Sequence, residues 1–179
     1  MTSITHWNLK GVKDKKNPNY QKKVDIVSHL LSNPSKNLIV SLQETHLESK
    51  NQIPSEWTNF SHLFSLVGNF APNNDSFSGT MLFINKLLSI EHIEILIPGR
   101  VILVKTRKEG VVEITNYVSV YGKASGLITE KKAILDSLLH NLIDVNEDYF
   151  IIGDYNFVVS ALDRNTNHLN PGDTACNSL

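Results

Sequence analysis

The sequence predicts an α+β fold of four layers, ordered helix, sheet, sheet, helix, in a single domain spanning residues 1–179. Two observations predict it. A strand–helix–strand unit occurs at residues 4–44 and again at residues 115–156, and several consecutive strands lie between the two units. Two sheets packed face to face, each with a helix on its outer side, bury the apolar faces of such elements. A chain of 179 residues is long enough for one such core.

The first unit runs from a short strand at Ile4–Trp7 to a buried strand at Leu38–Leu42, which is followed by Glu44. Pro18 opens the helix between them. Its apolar residues recur at helical spacing: Val24, Val27, Leu30 and Leu31. Beyond Glu44 we expect an irregular stretch at Thr45–Asn59, with Trp57 and Phe60 as core anchors.

The middle of the chain predicts a run of strands separated by turns. They are expected at His62–Val67, Gly79–Asn85, Ile90–Ile97, Arg100–Lys105 and Val111–Val120. The second unit then continues with a helix capped by Thr129 and a buried strand at Tyr149–Ile152. The apolar positions of that helix are Ile134, Leu135, Leu138, Leu139, Leu142 and Ile143.

Composition excludes some classes of protein. Hydrophobic residues make up 41% and charged residues 20% of the chain, which is typical of a globular domain. The apolar runs are too short to cross a bilayer, and the N-terminus does not resemble a secretory signal. The single cysteine, Cys176, suits a reducing compartment. We therefore expect an intracellular protein of the nucleus or cytoplasm, with no membrane partner.

The segment Lys10–Lys23 is strongly basic although the whole chain has a net charge of −1. It contains six lysines and one acid, Asp14, which gives a net charge of +5. Such a segment can contact phosphates, or it can be a solvated loop that runs into a helix. The sequence leaves both interpretations open.

Polar residues stand where predicted strands end. Asn8 and Tyr121 end the first strand of each unit, and Glu44 and Asp154 follow the second, with Asn156 close behind. A hard cation such as Mg²⁺ takes oxygen ligands and usually keeps several waters, so one or two carboxylates suffice to hold it. Amides can bind phosphate without adding negative charge. The pattern predicts a metal-assisted phosphodiester-cleaving site.

Five segments also occur in the order found in a known family. They are Trp7–Gly11, Leu42–Leu47, Ser78–Ile84, Val118–Tyr121 and Ile152–Asn156. With them the chain resembles the endonuclease/exonuclease/phosphatase family, which has a DNase-like fold. The sequences Gln43-Glu44-Thr45-His46 and Leu162-Asp163-Arg164 are most similar to the apurinic-type endonuclease domains of LINE-type (non-LTR) retrotransposons.

The resemblance implies a role for each rim residue. Glu44 would be the principal ligand of Mg²⁺, with Mn²⁺ as an alternative, and Asn8 would help to hold the metal and the phosphate. Tyr121 would contact the scissile phosphate. Asp154 would orient or deprotonate the attacking water, and Asn156 would stabilise the phosphate oxyanion. The implied reaction is hydrolysis of a DNA strand that leaves a 3′-hydroxyl.

The resemblance also implies partners. DNA would be the substrate, and a downstream reverse-transcriptase domain would use the new 3′-hydroxyl in a full-length element. The expected DNA contacts are Lys10, Lys13, Lys15, Lys16 and His46.

Two departures from the family pattern set further expectations. The family usually has Ala-Pro-Asn after the tyrosine, whereas Gly122-Lys123-Ala124 stands here. The family's later strands and its Ser-Asp-His motif have no counterpart after Arg164, and His168 is a weak surrogate. We therefore expect a C-terminally incomplete domain that is weak or inactive as this fragment. A non-catalytic remnant that binds nucleic acid, and an esterase for small phosphoesters, stay open as alternatives.

Overall fold

Two pairs of parallel strands, each joined by a helix, begin and end the described fold. The computed structural model describes residues 3–36, 38–73, 75–123, 128–141 and 147–156. Within them the elements in chain order are β1 (Ile4–Asn8), α1 (Tyr20–Leu31), β2 (Ile39–Gln43), α2 (Ser55–Thr58), β3 (Phe64–Asn69), β4 (Thr80–Asn85), β5 (Leu88–Ile97), β6 (Val101–Lys108), β7 (Ile114–Tyr121), α3 (Ile128–Asn141) and β8 (Asp148–Asp154).

The strands form two four-stranded sheets. The first sheet has the order β1-β2-β4-β3 and the second the order β5-β6-β7-β8. β1 pairs with β2, and β7 with β8, in parallel, whereas all the other pairings are antiparallel. Parallel neighbours need a crossover connection, and α1 and α3 lie in those two connections. The predicted repetition of strand, helix and strand is therefore confirmed.

Three apolar clusters separate the four layers. α1 packs on the outer face of the first sheet, where Val24 and Val27 meet Val40, Leu42 and Phe83. The inner faces of the two sheets meet in a second cluster that contains Ile39, Leu82, Ile84, Ile102, Val104 and Tyr117. α3 covers the second sheet through Ile134 and Leu138, which pack with Val101, Leu103, Val118 and Val120. The predicted α/β/β/α sandwich is confirmed.

The alternation of side chains in β2 shows how one strand serves two layers. Val40 and Leu42 point to α1, whereas Ile39 points into the space between the sheets. Ser41 points the same way as Ile39, and its Oγ lies 2.9 Å from Oγ of Ser119 in the opposite sheet. This period of two places the polar residues of the strand between the sheets near the end that carries Glu44.

The last strand is less buried than the sequence predicted. Phe150 and Ile151 are each 43% exposed, and Ile152 alone among the apolar residues of β8 is fully buried. Among the described residues β8 has a strand partner, β7, on one side. Within the described residues, this apolar run therefore belongs to a strand with a neighbour on one side only, which periodicity alone does not reveal.

Smaller differences concern the ends of elements. The stretch Thr45–Asn59, predicted to be irregular, holds a 3-10 turn at Lys50–Gln52 and the short helix α2. Trp57 on α2 is 1% exposed, and its indole Nε1 donates to the carbonyl of Val24. The predicted cap Thr129 lies inside the first turn of α3, which begins at Ile128. Leu142 and Ile143 lie outside the described residues.

No helix in the described ranges is long and apolar enough to cross a membrane.

Candidate active site

The two parallel strand pairs end at one rim of the sandwich. In the first sheet Asn8 lies opposite Gln43, so Glu44 follows directly beyond it. In the second sheet Tyr121 lies opposite Asp154. The carboxyl ends of parallel strands meet at the same edge of a sheet, and the packing of the sheets brings the two edges together. The predicted residues Asn8, Glu44, Tyr121 and Asp154 thus share one rim.

A hydrogen bond joins the two sheets at this rim. Asn8 Nδ2 donates to Asp154 Oδ2 at 2.6 Å. The other carboxylate oxygen, Oδ1, accepts from the backbone N–H of Asn156 at 3.0 Å. Asn8 Oδ1 accepts from the N–H of Lys10 at 2.9 Å and keeps a second lone pair. Asn8 and Asp154 are each partly exposed, so the pair faces the solvent at the rim.

Asn156 turns the chain back over the end of β7. Its φ of 51° is in the left-handed region, which Asn tolerates better than most residues. Its Nδ2 donates to the carbonyl of Gly122 at 2.7 Å, and its own carbonyl accepts from Lys131 Nζ at 3.0 Å. The side chain is partly exposed beside Asp154.

The loop after Tyr121 passes very close to the loop after β8. The N–H of Gly122 donates to the carbonyl of Asp154 at 2.7 Å. A Cβ atom at Gly122 would collide with the backbone carbonyl of Tyr155. Glycine therefore allows the two loops at the carboxyl ends of β7 and β8 to touch. Lys123 follows within the described residues, whereas Ala124 lies outside them.

Glu44 stands in a strained backbone. Its φ is 53°, and His46 at 60° and Lys10 at 51° share this region, which is uncommon for residues other than Gly, Asn and Asp. The carbonyl of Glu44 accepts from the N–H of Gly11 at 2.7 Å, so the loops after β1 and β2 hold each other. Strain of this kind costs about 1–3 kcal/mol for each residue and is concentrated at functional sites.

His46 lies beside Glu44. Its Nε2 is buried, lies 3.5 Å from Glu44 Oε1 and has no closer polar partner in the described part of the chain. Burial lowers the pKa of His46, and the Glu44 carboxylate opposes that effect. The other five described histidines, His6, His29, His62, His92 and His140, are exposed. His168 lies outside the described residues.

Tyr121 is held between Glu44 and an arginine. Burial and the charge of Glu44 raise the pKa of Tyr121 to about 12, although the charge of Arg100 acts in the opposite direction. The guanidinium carbon of Arg100 lies 4.6 Å from the centre of the Tyr121 ring. Arg100 Nε and Nη2 also donate to Asp75 Oδ2 at 2.9 and 2.6 Å. The Tyr121 hydroxyl therefore stays protonated at neutral pH and can donate a hydrogen bond.

The predicted lysines divide into two groups. Lys10 and Lys13 line an open cleft of about 570 Å³ next to the rim, together with Gly11, Asp14, Asn17, His46, Ser76 and Phe77. Lys13 Nζ forms an ion pair with Glu48 at 2.6 Å. Lys15 and Lys16 are exposed in the turn that precedes α1 and do not line this cleft.

Sequence reasoning missed Lys23 as an individual residue. Its Nζ donates to the carbonyls of Lys10 and Gly11 at 2.8 and 2.7 Å and so fastens the loop after β1 to α1. Burial lowers the pKa of Lys23, whereas the charge of Glu44 raises it. A lysine on a helix gives no local signal that it binds a loop carbonyl.

Gln43 and Arg100 were also missed. Gln43 is fully buried, and its Nε2 donates to Ser41 Oγ at 2.6 Å and approaches Ser119 Oγ at 3.3 Å. Its Oε1 has no hydrogen-bond partner among the described residues. Arg100 is 7% exposed although it opens an apolar run. The available signal in the sequence was a long polar side chain directly next to an apolar strand.

The possible metal ligands at the rim are oxygen atoms, the donor type that Mg²⁺ prefers. The described residues hold no group of three or more His, Cys, Asp or Glu side chains that could bind a metal. What the rim offers is oxygen: the carboxylates of Glu44 and Asp154 and the free lone pair of Asn8 Oδ1. Mg²⁺ usually keeps several waters and needs one or two carboxylates, whereas zinc sites take three or four protein ligands. The residues present fit a magnesium ion.

Comparison with known proteins shows the fold. No protein-family model matches the chain, and no curated protein sequence matches it. The solved structures that match include an endonuclease/exonuclease/phosphatase family protein from Bacteroides thetaiotaomicron, D. rerio TDP2 complexed with a single strand DNA product, and the human nocturnin catalytic domain with a bound sulfate anion. Their TM-scores are 0.67, 0.64 and 0.63.

The extent of each match limits what it shows. Sequence identity is 10%, 17% and 14%, and the matches cover 99%, 89% and 87% of this chain. The chain spans 68% of the Bacteroides protein but only 62% and 64% of the TDP2 and nocturnin chains. At such identities a structural match establishes architecture and not activity. The chain therefore has the DNase-like α/β sandwich fold of endonuclease/exonuclease/phosphatase proteins.

Proposed function

We propose that the rim is a metal-assisted phosphodiesterase site and that the chain is the endonuclease domain of a retrotransposon-type enzyme that nicks DNA. The observation that carries the proposal is the hydrogen bond between Asn8 and Asp154. It brings an amide and a carboxylate from opposite sheets together beside Glu44 and Tyr121. A related fold in D. rerio TDP2 is complexed with a single strand DNA product, which supports a nucleic acid as the substrate class.

Each rim residue has a task in this proposal. Glu44, assisted by Asn8, would hold Mg²⁺ or Mn²⁺. The bound ion supplies positive charge that stabilises the negative phosphate during hydrolysis. Asp154, oriented by Asn8, would accept a proton from an attacking water bound within hydrogen-bond distance of its carboxylate. The Tyr121 hydroxyl donates a hydrogen bond to a phosphate oxygen, and Asn156 stabilises the oxyanion from the loop beside Asp154. As the P–O bond breaks, the leaving 3′-oxygen takes a proton from solvent.

The finer assignments rest on the sequence. Lys10, Lys13, Lys15, Lys16 and His46 are proposed to contact DNA around the cut, and the motifs of the LINE-type endonucleases suggest a reverse-transcriptase domain as partner. The nucleus or cytoplasm is the proposed location. Residues 165–179 contain no Ser-Asp-His sequence, so we expect the 179-residue polypeptide alone to nick slowly.

The decisive test is nicking of supercoiled plasmid in Mg²⁺, with EDTA as a blank. We expect slow conversion to the open circle, abolished by Glu44→Ala and by Asp154→Ala. His92→Gln is a suitable control because His92 is exposed and lies on β5. Nicking that survives Glu44→Ala would remove the rim as the active site. Rapid nicking that depends on Glu44 would keep the site but show that the Ser-Asp-His motif is dispensable.

A second function is favoured by one observation. His46 is the one histidine beside the rim in the described ranges, and burial lowers its pKa, so it is a poor proton donor at neutral pH. A polypeptide without another general acid could bind nucleic acid without cutting it. Salt-sensitive DNA binding with no Mg²⁺-dependent nicking would indicate this function. Hydrolysis of a soluble phosphodiester in the absence of DNA nicking would indicate a small-molecule esterase instead.

A further inference from the structure

Phe77 presents an aromatic ring to solvent at the edge of the rim. It is 70% exposed, although it lies in the loop between β3 and β4 that is otherwise well held. Ser78 donates its N–H and its hydroxyl to the carbonyl of Asp75 at 3.0 and 2.8 Å. Gly79 N–H donates to the carbonyl of Gly99 at 2.9 Å. The exposed ring therefore stands on a fixed backbone.

Arg100 fastens the same loop to the rim. Its guanidinium donates two hydrogen bonds to the Asp75 carboxylate and lies over the ring of Tyr121. Asp75 is two residues before Phe77 and Tyr121 is a rim residue, so the position of Phe77 is fixed relative to the proposed scissile phosphate. A side chain fixed in this way loses little conformational entropy when it binds a ligand.

His46 supports the ring from one side. The centroids of the His46 and Phe77 rings are 5.4 Å apart and the rings are nearly perpendicular, at 89°. Because Phe77 is 70% exposed, this edge-to-face contact leaves most of its ring uncovered. His46 also lies 3.5 Å from Glu44. One imidazole therefore separates Phe77 from the carboxylate that is proposed to hold the metal.

The cleft beside Phe77 is lined by more positive than negative side chains. Lys10 and Lys13 line it, and Asn17 adds an amide. The only carboxylate among its lining residues in the described structure is Asp14, and Glu48 pairs with Lys13 at the margin. Exposed ion pairs are weak, so a phosphate can replace Glu48 at Lys13. An exposed aromatic ring beside lysines is the arrangement that binds single-stranded nucleic acid.

We propose that Phe77, supported by His46, is a stacking platform for an unpaired nucleobase next to the scissile phosphate, and that Lys10 and Lys13 contact the adjoining backbone. The inference rests on the proposed function and narrows its substrate class to DNA with at least one unstacked or single-stranded nucleotide beside the cut. Any base can stack on a single aromatic ring. The platform therefore discriminates unpaired from paired nucleotides but does not discriminate between base sequences.

Two 12-residue oligonucleotides with equal numbers of phosphates separate stacking from charge: oligothymidylate and a strand of abasic sites. Binding is measured by fluorescence anisotropy in EDTA, so that no strand is cut. We expect the wild-type chain to bind oligothymidylate about 5- to 150-fold more tightly than the abasic strand. Phe77→Ala should remove that difference, and Phe77→Trp should keep it. Lys10→Gln should weaken both strands and reduce the salt slope by about 0.7.

Leu87→Ala is the matched control, because Leu87 is also exposed, at 66%, and lies at the opposite end of β4. It should keep the preference for the strand that carries bases. Equal binding of both strands by the wild-type chain, or an equal loss on both strands with Phe77→Ala, overturns the platform and leaves DNA binding intact. Binding of neither strand also overturns the platform, while nicking of the supercoiled plasmid decides separately whether DNA is the substrate.

Discussion

Asn8 and Asp154 lie 146 positions apart in the chain, yet Asn8 Nδ2 donates to Asp154 Oδ2 at 2.6 Å. Asn8 ends the first strand of one sheet, and Asp154 ends the last described strand of the other. The pair therefore reports whether the two sheets are correctly docked. It also orients the carboxylate that is proposed to activate water.

This pair should show energetic coupling. We expect Asn8→Ala and Asp154→Ala each to destabilise the fold, with a coupling energy of about 1–2 kcal/mol in a double-mutant cycle, because the hydrogen bond involves a charged acceptor. The free energy of unfolding, measured by urea denaturation for the wild type, both single variants and the double variant, gives this value. Strictly additive effects would show that the contact contributes nothing to docking.

Lys23 should hold the loop that supports Glu44. Lys23→Met removes two hydrogen bonds to loop carbonyls and leaves those carbonyls without their donor, so we expect a loss of about 1–3 kcal/mol. Hydrogen exchange should accelerate at the Gly11 amide, which donates to Glu44. Lys22→Met is the control, since Lys22 is exposed on the same helix. Equal effects of the two substitutions would contradict the assigned role of Lys23.

Gly122 should tolerate no side chain. Gly122→Ala places a Cβ against the carbonyl of Tyr155, so the loops after β7 and β8 have to separate. We expect a lower melting temperature and a displaced Asn156, whose Nδ2 binds the Gly122 carbonyl. Gly110→Ala is the comparison, because it meets no atom within 4 Å and carries only the strain of a φ of 76°. That strain costs about 1 kcal/mol, and Gly122→Ala should cost more.

Glu147 should contribute to the dependence of stability on pH. A hydrogen bond from Lys105 is the main cause that holds the pKa of Glu147 below its ordinary value of 4.5, and Asn116 and Tyr149 add to it. Because the folded pKa is the lower one, the contribution is complete above the unfolded pKa and disappears as the pH falls through the folded value. We expect Glu147→Gln to destabilise the chain by about 1 kcal/mol at pH 7.

That difference should vanish below the folded pKa of Glu147, where both forms are neutral. Urea denaturation between pH 7 and pH 3 measures it, with Glu94→Gln on the exposed part of β5 as a control. A difference that stays constant with pH would assign the effect to lost packing and not to charge.

The sequence was informative wherever a local pattern determines the structure. Period-two and helical patterns located the strands and the two long helices, and the repeated order placed Asn8, Glu44, Tyr121 and Asp154 at strand ends that the fold brings to one rim. The roles of these residues stay predictions. The sequence indicates that the strand ends at Glu44, but it does not reveal the positive φ of that residue. This conformation goes with contacts between Glu44 and the loop after β1.

Other features depend on partners that are distant in the chain. Phe150 and Ile151 form an apolar run that is typical of a central strand, yet β8 has one described neighbour and they remain exposed. Arg100 follows a turn and precedes an apolar strand. Its structural role depends on contacts with Asp75 and Tyr121, which lie 25 and 21 positions away in the sequence. Phe77 is surrounded by polar residues in the sequence, and only folding brings it to His46.

Because the rim residues come from both sheets, their assembly depends on the order in which the two sheets form. A growing polypeptide that has completed only its first sheet carries Asn8 and Glu44 but has no Asp154 or Tyr121 beside them. Contacts between such distant residues form late, since the loop between them must first be closed. For a nuclease of the kind proposed, a nascent chain that lacks the second sheet would therefore have an incomplete site.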